Sequence, residues 1–467
     1  MRGRRILLAA LIFGCAIGPV TAHAQPAAPS PVIPDPLRVN GIGPQVPPLE
    51  QLQRWIAAVV PPPPLVAGDR PASGRVGATP DPDLLRRAVL PDDVGDRLLD
   101  EWPPDLAHYR EGQIVATRNV TATAAPLVTV PVREVTQLKF RTDDASGGPS
   151  YATATLVIPA QPWTGPTTRP VLVNNLAIDG LGRRCTPGYT YAHGLSGDTD
   201  SDSLIPPTTQ LALLRGYAVL LPDHEGPRMA YAEPYVAGHA VLDAIRAVRA
   251  RFPAEFGTSH FALHGYSGGA IATRGAVALI ASYAPELRTV IAGAALGGVP
   301  VDYRLLSRSM NANLASGVFF AATFGIGRER PQILARMNNL ARWVAVSPLR
   351  NSCSSTFSIP GLLSLPIDVA ADIPDPLDSA LAADIFRVTG MRGMKSVVPL
   401  YIYNGDEEFW VPAAGARELY DDQCALGVRA VYRGVPGEHF IATATGYPGA
   451  MTWVDQRLRG IPAPDEC

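Results

Sequence analysis

The second half of the chain alternates short apolar runs with longer stretches of helical periodicity. In one such stretch Val241, Ile245, Val248 and Phe252 fall on one face of a helix, and the arginines lie largely off that face. Strands that alternate with amphipathic helices predict a mostly parallel sheet covered on both faces. The predicted strands are residues 171–174, 217–221, 261–264, 290–294, 397–403 and 428–432.

A hairpin and a cap complete the predicted α/β architecture. Residues 133–142 and 151–158 are β-favouring runs separated by a turn-rich cluster, which is typical of a hairpin. Residues 299–395 break the alternation, because they are helix-rich at 303–324 and 330–346 and then rich in proline. So long an insertion cannot be a connecting loop. We expect a helical cap over a core formed by residues 83–298 and 396–467.

The N-terminal region has the features of an exported protein. Residues 1–24 combine early arginines, an apolar stretch and small residues before Ala24, a pattern typical of a cleaved signal peptide. A lipoprotein signal that uses Cys15 is the alternative, although Phe13 fits it poorly. Residues 25–82 are proline-rich, with one short amphipathic candidate helix at 49–60, and are expected to be extended and dispensable for turnover of a soluble ester.

Composition narrows the possible partners. The chain has 467 residues, of which 47% are hydrophobic, and a net charge of −2. A protein with so little net charge has no excess of basic residues to bind nucleic acid, so no such partner is expected. No segment after the signal has the roughly 18 unbroken apolar residues of a membrane span. We therefore expect a secreted, soluble protein, whose oligomeric state the sequence leaves open.

The cysteines predict disulfides once export is assumed. Removal of the signal leaves Cys185, Cys353, Cys424 and Cys467. Their spacing contains no CxxC and no neighbouring histidine pair, so neither a metal site nor a cofactor is expected. Two disulfides are the better interpretation, and the spacing leaves all three pairings open.

A glycine-flanked serine is the main candidate for chemistry. Residues 265–269 read GYSGG, which satisfies GxSxG between a predicted strand and a predicted helix. So sharp a turn strains the serine and requires glycine where backbone segments nearly touch. It would expose the Ser267 hydroxyl above the sheet and leave the Gly268 N–H facing an oxyanion. Ser267 is therefore the predicted nucleophile.

A serine nucleophile needs a base and an orienting acid, and in this fold they follow it in the order acid, histidine. His439 is the one histidine after Ser267, in a loop just past a predicted strand. Asp406 directly follows the apolar run 397–403 and is the predicted acid, with Glu407 and Glu408 as close rivals. His264 and the DHEGP loop at 223–227 are expected to be structural.

With these residues placed, the chain resembles the secretory lipase family, the α/β-hydrolases typified by fungal lipase A, over about residues 102–467. The resemblance depends on LPDHEGP at 221–227, YAEPYVAGHAVLDAIRA at 231–247, GYSGGA at 265–270, SYAPEL at 282–287 and the loops with Asp406 and His439. Two features depart from the family: the proline-rich segment has no counterpart, and CTPGY at Cys185 stands where the family has CxPSY.

The resemblance implies several further features. It pairs Cys185 with Cys353 and Cys424 with Cys467, and it implies a helical cap and the hydrolysis of acylglycerols. It also places the family's oxyanion aspartate on Asp179, which would have to be protonated to donate a hydrogen bond. The alternative is that Asp179 only shapes its loop, while backbone N–H groups form the oxyanion hole.

The expected function is that of a secreted serine carboxylic-ester hydrolase, most simply a triacylglycerol lipase that meets its lipid ester at a lipid–water interface. Three cap phenylalanines, Phe319, Phe320 and Phe324, are expected to line an acyl tunnel, although they could equally fill the cap's own core. Alternatives are a short-chain or polyester esterase, an acyltransferase, or a catalytically silent relative that serves as a binding module.

Overall fold

A nine-stranded sheet organises the protein in the computed structural model, which describes residues 49–65, 80–196, 199, 204, 207–357 and 361–467. The predicted signal peptide therefore lies outside the described residues. The strand order is β1-β2-β3-β5-β4-β6-β7-β8-β9. The strands are β1 Ile114–Asn119, β2 Val132–Asp143, β3 Pro149–Pro159, β4 Val171–Asn175, β5 Ala218–Pro222, β6 Phe261–Tyr266, β7 Ile291–Gly297, β8 Leu400–Gly405 and β9 Ala430–Val435.

The sheet is parallel from β5 to β9, and β1, β2 and β3 pair antiparallel. β4, β5 and β6 are buried at every position, which explains why they appear in the sequence as continuous apolar runs. The predicted hairpin is β2–β3. β1 was not predicted, because this edge strand is only half-buried and its residues lack apolar alternation. The predicted α/β-hydrolase architecture is confirmed.

Helices cover both faces of the sheet. The longer helices of the described part are α1 Leu49–Val59, α2 Pro80–Ala88, α3 Pro234–Arg251, α4 Gly268–Tyr283, α5 Tyr303–Met310, α6 Ser316–Glu329, α7 Asn339–Val346, α8 Ala380–Thr389, α9 Ala413–Ala425 and α10 His439–Leu458. α3, α4 and α9 share one buried apolar cluster with the sheet, and α10 contributes to the cluster on the other face.

The cap residues are rich in short helices. The helix-rich stretch 303–324 consists of α5 and α6, and a break between them holds Ala312 at positive φ. The helix-rich stretch 330–346 consists of a short turn of helix, Gln332–Ala335, followed by α7. Asn313 and Asn338 explain the breaks, because their side chains accept from the backbone N–H groups of Ala315 and Ala341.

A buried arginine in the cap ties it to the core. Arg328 of α6 is fully buried and donates hydrogen bonds to the carbonyl oxygens of Leu181 and Met229 in core loops. It also donates to the carbonyl oxygens of Val89, just after α2, and of Arg350 in the cap. Because removal of this side chain would leave several carbonyls without a partner, Arg328 fixes where the cap sits.

The N-terminal segment is only partly as predicted. Residues 49–59 form α1, as the amphipathic pattern indicates, and Ile56 is its buried side chain. Residues 49–65 are nevertheless packed against the cap rather than forming a free linker: Trp343 Nε1 donates to the Pro61 carbonyl at 2.9 Å. The proline-rich composition gave no indication of this contact, because it depends on cap residues nearly 300 positions away.

The structure contains the disulfide bonds Cys185–Cys353 and Cys424–Cys467. This is the pairing that the family resemblance implies. Within the described ranges, no helix is both long and apolar enough to cross a membrane, and no cluster of three or more potential metal ligands occurs.

Candidate active site

The candidate nucleophile lies at the turn between β6 and α4. Ser267 has φ 53° and ψ −123°, a strained conformation for a residue with a side chain. A Cβ atom at Gly265 would overlap the Gly269 carbonyl, and one at Gly269 would overlap the carbonyl of Asn175 in β4. The backbone therefore approaches itself as closely as the GxSxG pattern indicates, and glycine is required at both positions.

His439 is the candidate base beside this serine. It is the first residue of α10, after the loop that leaves β9, and its Nε2 lies 2.8 Å from Ser267 Oγ. The Tyr266 hydroxyl donates to the His439 carbonyl at 2.6 Å, which anchors the start of α10 next to the serine turn. The ring is thus held where it can accept the hydroxyl proton.

The carboxylate beside His439 belongs to Glu408, and the expectation for Asp406 is wrong. Glu408 Oε2 lies 2.6 Å from His439 Nδ1, and its side chain is fully buried. β8 continues two residues beyond its predicted end, so Asp406 still pairs through its N–H with the Val435 carbonyl of β9. Its exposed carboxylate consequently lies beside Gly434, while the following turn carries Glu408 back to the histidine.

Glu408 is fixed at both oxygens. Its Oε1 accepts hydrogen bonds from the backbone N–H groups of Trp410 at 2.8 Å and Val411 at 3.1 Å. Burial by itself raises the pKa of Glu408, but the hydrogen bond and charge of His439 and these two N–H groups outweigh it and lower the pKa below its usual value. Glu408 is therefore a carboxylate that holds His439 with the proton on Nδ1, leaving Nε2 to accept from Ser267.

Asp179 lies where the resemblance to the family suggests an oxyanion group. It follows β4 in a left-handed conformation, φ 45°, and lines the same cavity as Ser267. A Cβ atom at Gly268 would overlap Asp179 Oδ1, so the aspartate lies directly against the backbone of the serine turn. Gly268 is the first residue of α4, where N–H groups have no partner within the helix. The structure thus brings Asp179, Gly268 and Ser267 together.

A buried glutamate supports the Asp179 loop, and the sequence analysis did not single it out. Glu225, in the DHEGP loop, is 3% exposed, and its Oε1 accepts from the Gly180 N–H at 3.3 Å. Burial first, and then the charge of Asp179, raise the pKa of Glu225 well above its usual value. Tyr231 also forms a hydrogen bond with Asp179. The half-buried Asp179 therefore lies beside the buried acid Glu225 and the Tyr231 hydroxyl.

The remaining polar candidates have structural partners, as the sequence indicated. His264 is buried in β6, with Nδ1 3.2 Å from Asn174 Oδ1 and Nε2 3.3 Å from the Tyr403 hydroxyl. Asp223 of the DHEGP loop accepts from the Thr153 hydroxyl at 2.5 Å, and His224 contacts the Leu176 carbonyl at 2.8 Å.

A large apolar cavity opens onto Ser267 and His439. Its volume is about 1060 Å³, and the cap provides much of its lining. The cavity face of α6 is Val318, Phe319, Ala322, Thr323 and Ile326. Of the three predicted phenylalanines only Phe319 lies on this face. Phe320 and Phe324 are one helical turn apart on another face, and Phe324 packs instead against the Arg328 guanidinium.

Comparisons with known proteins identify relatives of this chain. The family model described as secretory lipase matches residues 204–466. Lipase 10 of Candida albicans is 26% identical over 387 residues, covering 78% of this chain and 81% of that protein. The probable inactive lipase MT1628 of Mycobacterium tuberculosis is 28% identical over 402 residues, covering 84% and 88%. The closed-state structure of Candida antarctica lipase A matches with a TM-score of 0.71 and 25% identity, covering 81% of this chain and 89% of that one.

A serine turn, a histidine and a buried carboxylate at the carboxyl edge of such a sheet define a hydrolase of the α/β-hydrolase fold. The family model matches more than half of the sequence, and the curated relatives align along most of their length. The chain belongs to the secretory lipase family.

Proposed function

We propose that this lipase hydrolyses esters of long-chain fatty acids, with triacylglycerols as its main substrates, through an acyl-enzyme on Ser267. The main support for the proposal is that Ser267 and His439, which form a hydrogen-bonded array with Glu408, line an apolar cavity of about 1060 Å³. Ligand pockets commonly measure about 300–1,000 Å³, so this cavity has room for a long acyl chain.

The residues suggest a two-step reaction. Ser267 Oγ attacks the ester carbonyl while His439 Nε2 accepts its proton, and Glu408 stabilises the imidazolium that forms. The developing oxyanion lies between the Gly268 N–H and Asp179, whose carboxyl acts as a donor when protonated. His439 then returns the proton to the departing alcohol. In the second step His439 takes a proton from water, which attacks the acyl carbonyl. The bond to Ser267 Oγ then breaks, His439 returns the proton to that oxygen, and the fatty acid is released.

The cavity rim supports binding at a lipid–water interface. Leu314, Leu362 and Phe440 line the cavity, yet they are 60%, 75% and 64% exposed, so they lie at its opening. Exposed apolar side chains around one opening are typical of an interaction surface. We infer that this rim contacts the lipid surface from which the substrate enters. The two disulfides and the family to which the chain belongs support secretion as part of the proposal.

An ester panel combined with an active-site probe tests the proposal. Wild type should hydrolyse triacylglycerols of long as well as short acyl chains, and a fluorescent phosphonate should label wild type but not Ser267→Ala. Hydrolysis confined to acetate and butyrate esters would favour a short-chain esterase, and preferential transfer to added alcohol would favour an acyltransferase. Folded wild type that takes no label would favour a silent binding module, a possibility raised by the relative named as probably inactive.

The rim is tested separately with emulsified and dissolved substrates. Leu314→Ser should lower the rate on emulsified triolein several-fold and leave the rate on dissolved p-nitrophenyl butyrate unchanged. Leu214→Ser is the matched control, because Leu214 is 64% exposed at the end of another helix. Equal effects of both variants on the emulsion would refute a specific role for the rim.

A further inference from the structure

The N-terminal helix lies against the outer side of the cap. Gln53 of α1 donates from Nε2 to the carbonyl oxygens of Asp368 and Ile373, both at 2.9 Å. Just after the helix, Asn339 Nδ2 donates to the Val60 carbonyl at 2.8 Å, and the Trp343 contact with Pro61 follows. Leu65 packs against a buried apolar cluster in which Leu334 and Ala345 of the cap meet Leu85 and Val89. Residues 49–65, here called the N-terminal brace, therefore hold two separate parts of the cap.

The cap segments that the brace holds form a thin wall of the catalytic cavity. Residues 336–338 pair with residues 370–372: Met337 bridges Ala371, and the Asn338 N–H donates to the Ala370 carbonyl at 2.9 Å. The side chains of this wall that line the cavity include Met337, Ile367, Ala370, Ala371 and Ile373. Met337 also lines the groove that contains Gln53, so one layer of residues separates the brace from the cavity.

The wall has little regular structure to fix its position. Residues 367–370 form a single 3₁₀ turn, and the pairing with Met337 is an isolated bridge rather than a ladder. Gln53 bonds to carbonyls on either side of the paired residues, at Asp368 and Ile373, and so spans the segment that faces the cavity. A displacement of α1 would therefore release the wall without disturbing the sheet or Ser267.

We propose that the N-terminal brace determines acyl-chain preference, with Gln53 as the positioning residue that fixes the cavity wall. The inference rests on the proposed function of the same cavity. Short acyl chains fill only the part of the cavity next to Ser267, whereas long chains extend over more of its lining. Loosening the wall therefore penalises long chains selectively. The brace lies outside residues 204–466, which the family model matches.

The test uses an isosteric substitution with a matched control. Gln53→Glu keeps the side-chain shape but replaces the donor by a carboxylate that faces two carbonyl oxygens. Gln51→Glu makes the same charge change at an exposed position of the same helix. Each full-length variant is assayed for kcat/KM on p-nitrophenyl butyrate and palmitate. We expect Gln53→Glu to lower the palmitate-to-butyrate ratio of kcat/KM about tenfold. This is the size of the change in kcat/KM that one methylene group causes in an apolar pocket. Butyrate turnover and the Gln51→Glu ratio should stay within about twofold of wild type.

Binding provides a measurement that does not depend on turnover. In a Ser267→Ala background, Gln53→Glu should weaken binding of cis-parinaric acid, a fluorescent long-chain fatty acid, about tenfold relative to Gln51→Glu. An unchanged palmitate-to-butyrate ratio together with unchanged fatty-acid affinity would refute the proposed role of the brace. Equal losses of activity on both esters would refute it as well. Wild type without activity on any ester would instead refute the proposed function, and the binding comparison would still decide whether the brace fixes the wall. Thermal unfolding of each variant identifies a loss caused by misfolding, and Gln53→Ala then serves as the milder substitution.

Discussion

Replacement of Glu408 by glutamine tests the assignment of the acid most directly. Glu408 has donors at both oxygens: His439 Nδ1 at 2.6 Å on Oε2, and the N–H groups of Trp410 and Val411 on Oε1. Glutamine keeps the shape but offers one oxygen and one amide NH₂. Whichever way the amide turns, NH₂ faces a donor, so one set of bonds must be lost.

The two orientations differ in cost, and the difference decides the outcome. With NH₂ toward Trp410 and Val411, two backbone hydrogen bonds to a charged acceptor are lost, each worth about 1.5–3 kcal/mol. With NH₂ toward His439, the ring only changes tautomer, placing its proton on Nε2. The second orientation costs less, but Nε2 can then no longer accept the Ser267 proton. The equivalent change in a serine protease lowers kcat about 10⁴-fold, or about 5.4 kcal/mol.

The assay compares kcat on p-nitrophenyl butyrate for Glu408→Gln and Asp406→Asn. Both remove one negative charge, but Asp406 is exposed and points toward Gly434, so its variant should stay within about twofold of wild type. Circular dichroism confirms that both proteins are folded. A loss of about 10³-fold or more in Asp406→Asn, with Glu408→Gln active, would show that our assignment of the acid is wrong.

Three further predictions concern the same site. Ser267→Ala, His439→Ala and the double variant should be about equally inactive on p-nitrophenyl butyrate, because the residues act as a unit; multiplicative losses in the double variant would contradict this. Asp179→Ala should lose about 10²–10³-fold in kcat, whereas Asp179→Asn should retain more activity because its amide has a permanent N–H donor; equal activity of the two variants would argue for a backbone oxyanion hole. Because the pKa of Glu225 is raised in the folded protein, its contribution to stability is full below its unfolded pKa and is lost as pH rises through the folded pKa. Glutamine stays neutral, so Glu225→Gln should stabilise the protein relative to wild type more at alkaline than at acid pH. Urea unfolding at both pH values measures the difference in unfolding free energy, and a difference that does not change with pH would refute the prediction.

Much of the core could be predicted because its strands are buried on both faces. β4, β5 and β6 have continuous apolar sequences, and the order of Ser267 and His439 along the chain follows from the fold. The structure brings both residues together, with 2.8 Å between Nε2 and Oγ. Such features depend on local composition and topology, both of which are visible in a single sequence.

The carboxylate beside His439 was mispredicted because its position depends on where one strand ends. The end of a strand is set by its hydrogen bonds to the neighbouring strand, here the bond from the Asp406 N–H to the Val435 carbonyl. The apolar run in the sequence stops at residue 403, two residues before β8 ends. The cap phenylalanines were grouped by proximity in sequence, although only Phe319 shares the helix face of Val318 and Ala322. The contacts of the N-terminal brace join residues far apart in the chain, which no local pattern can reveal.

The catalytic array is held by backbone bonds that cross the carboxyl edge of the sheet. The Ser267 N–H donates to the Gly297 carbonyl at the end of β7, and the Gly298 N–H donates to the Tyr403 carbonyl in β8. The Asp406 N–H then reaches the Val435 carbonyl of β9, just before the loop to His439. A one-residue slip in any of these strands would separate the base from its acid or its serine. Because the parallel register positions Ser267, His439 and Glu408 while cap residues line much of the cavity, substitutions in the wall should change acyl-chain preference with little effect on turnover of short esters.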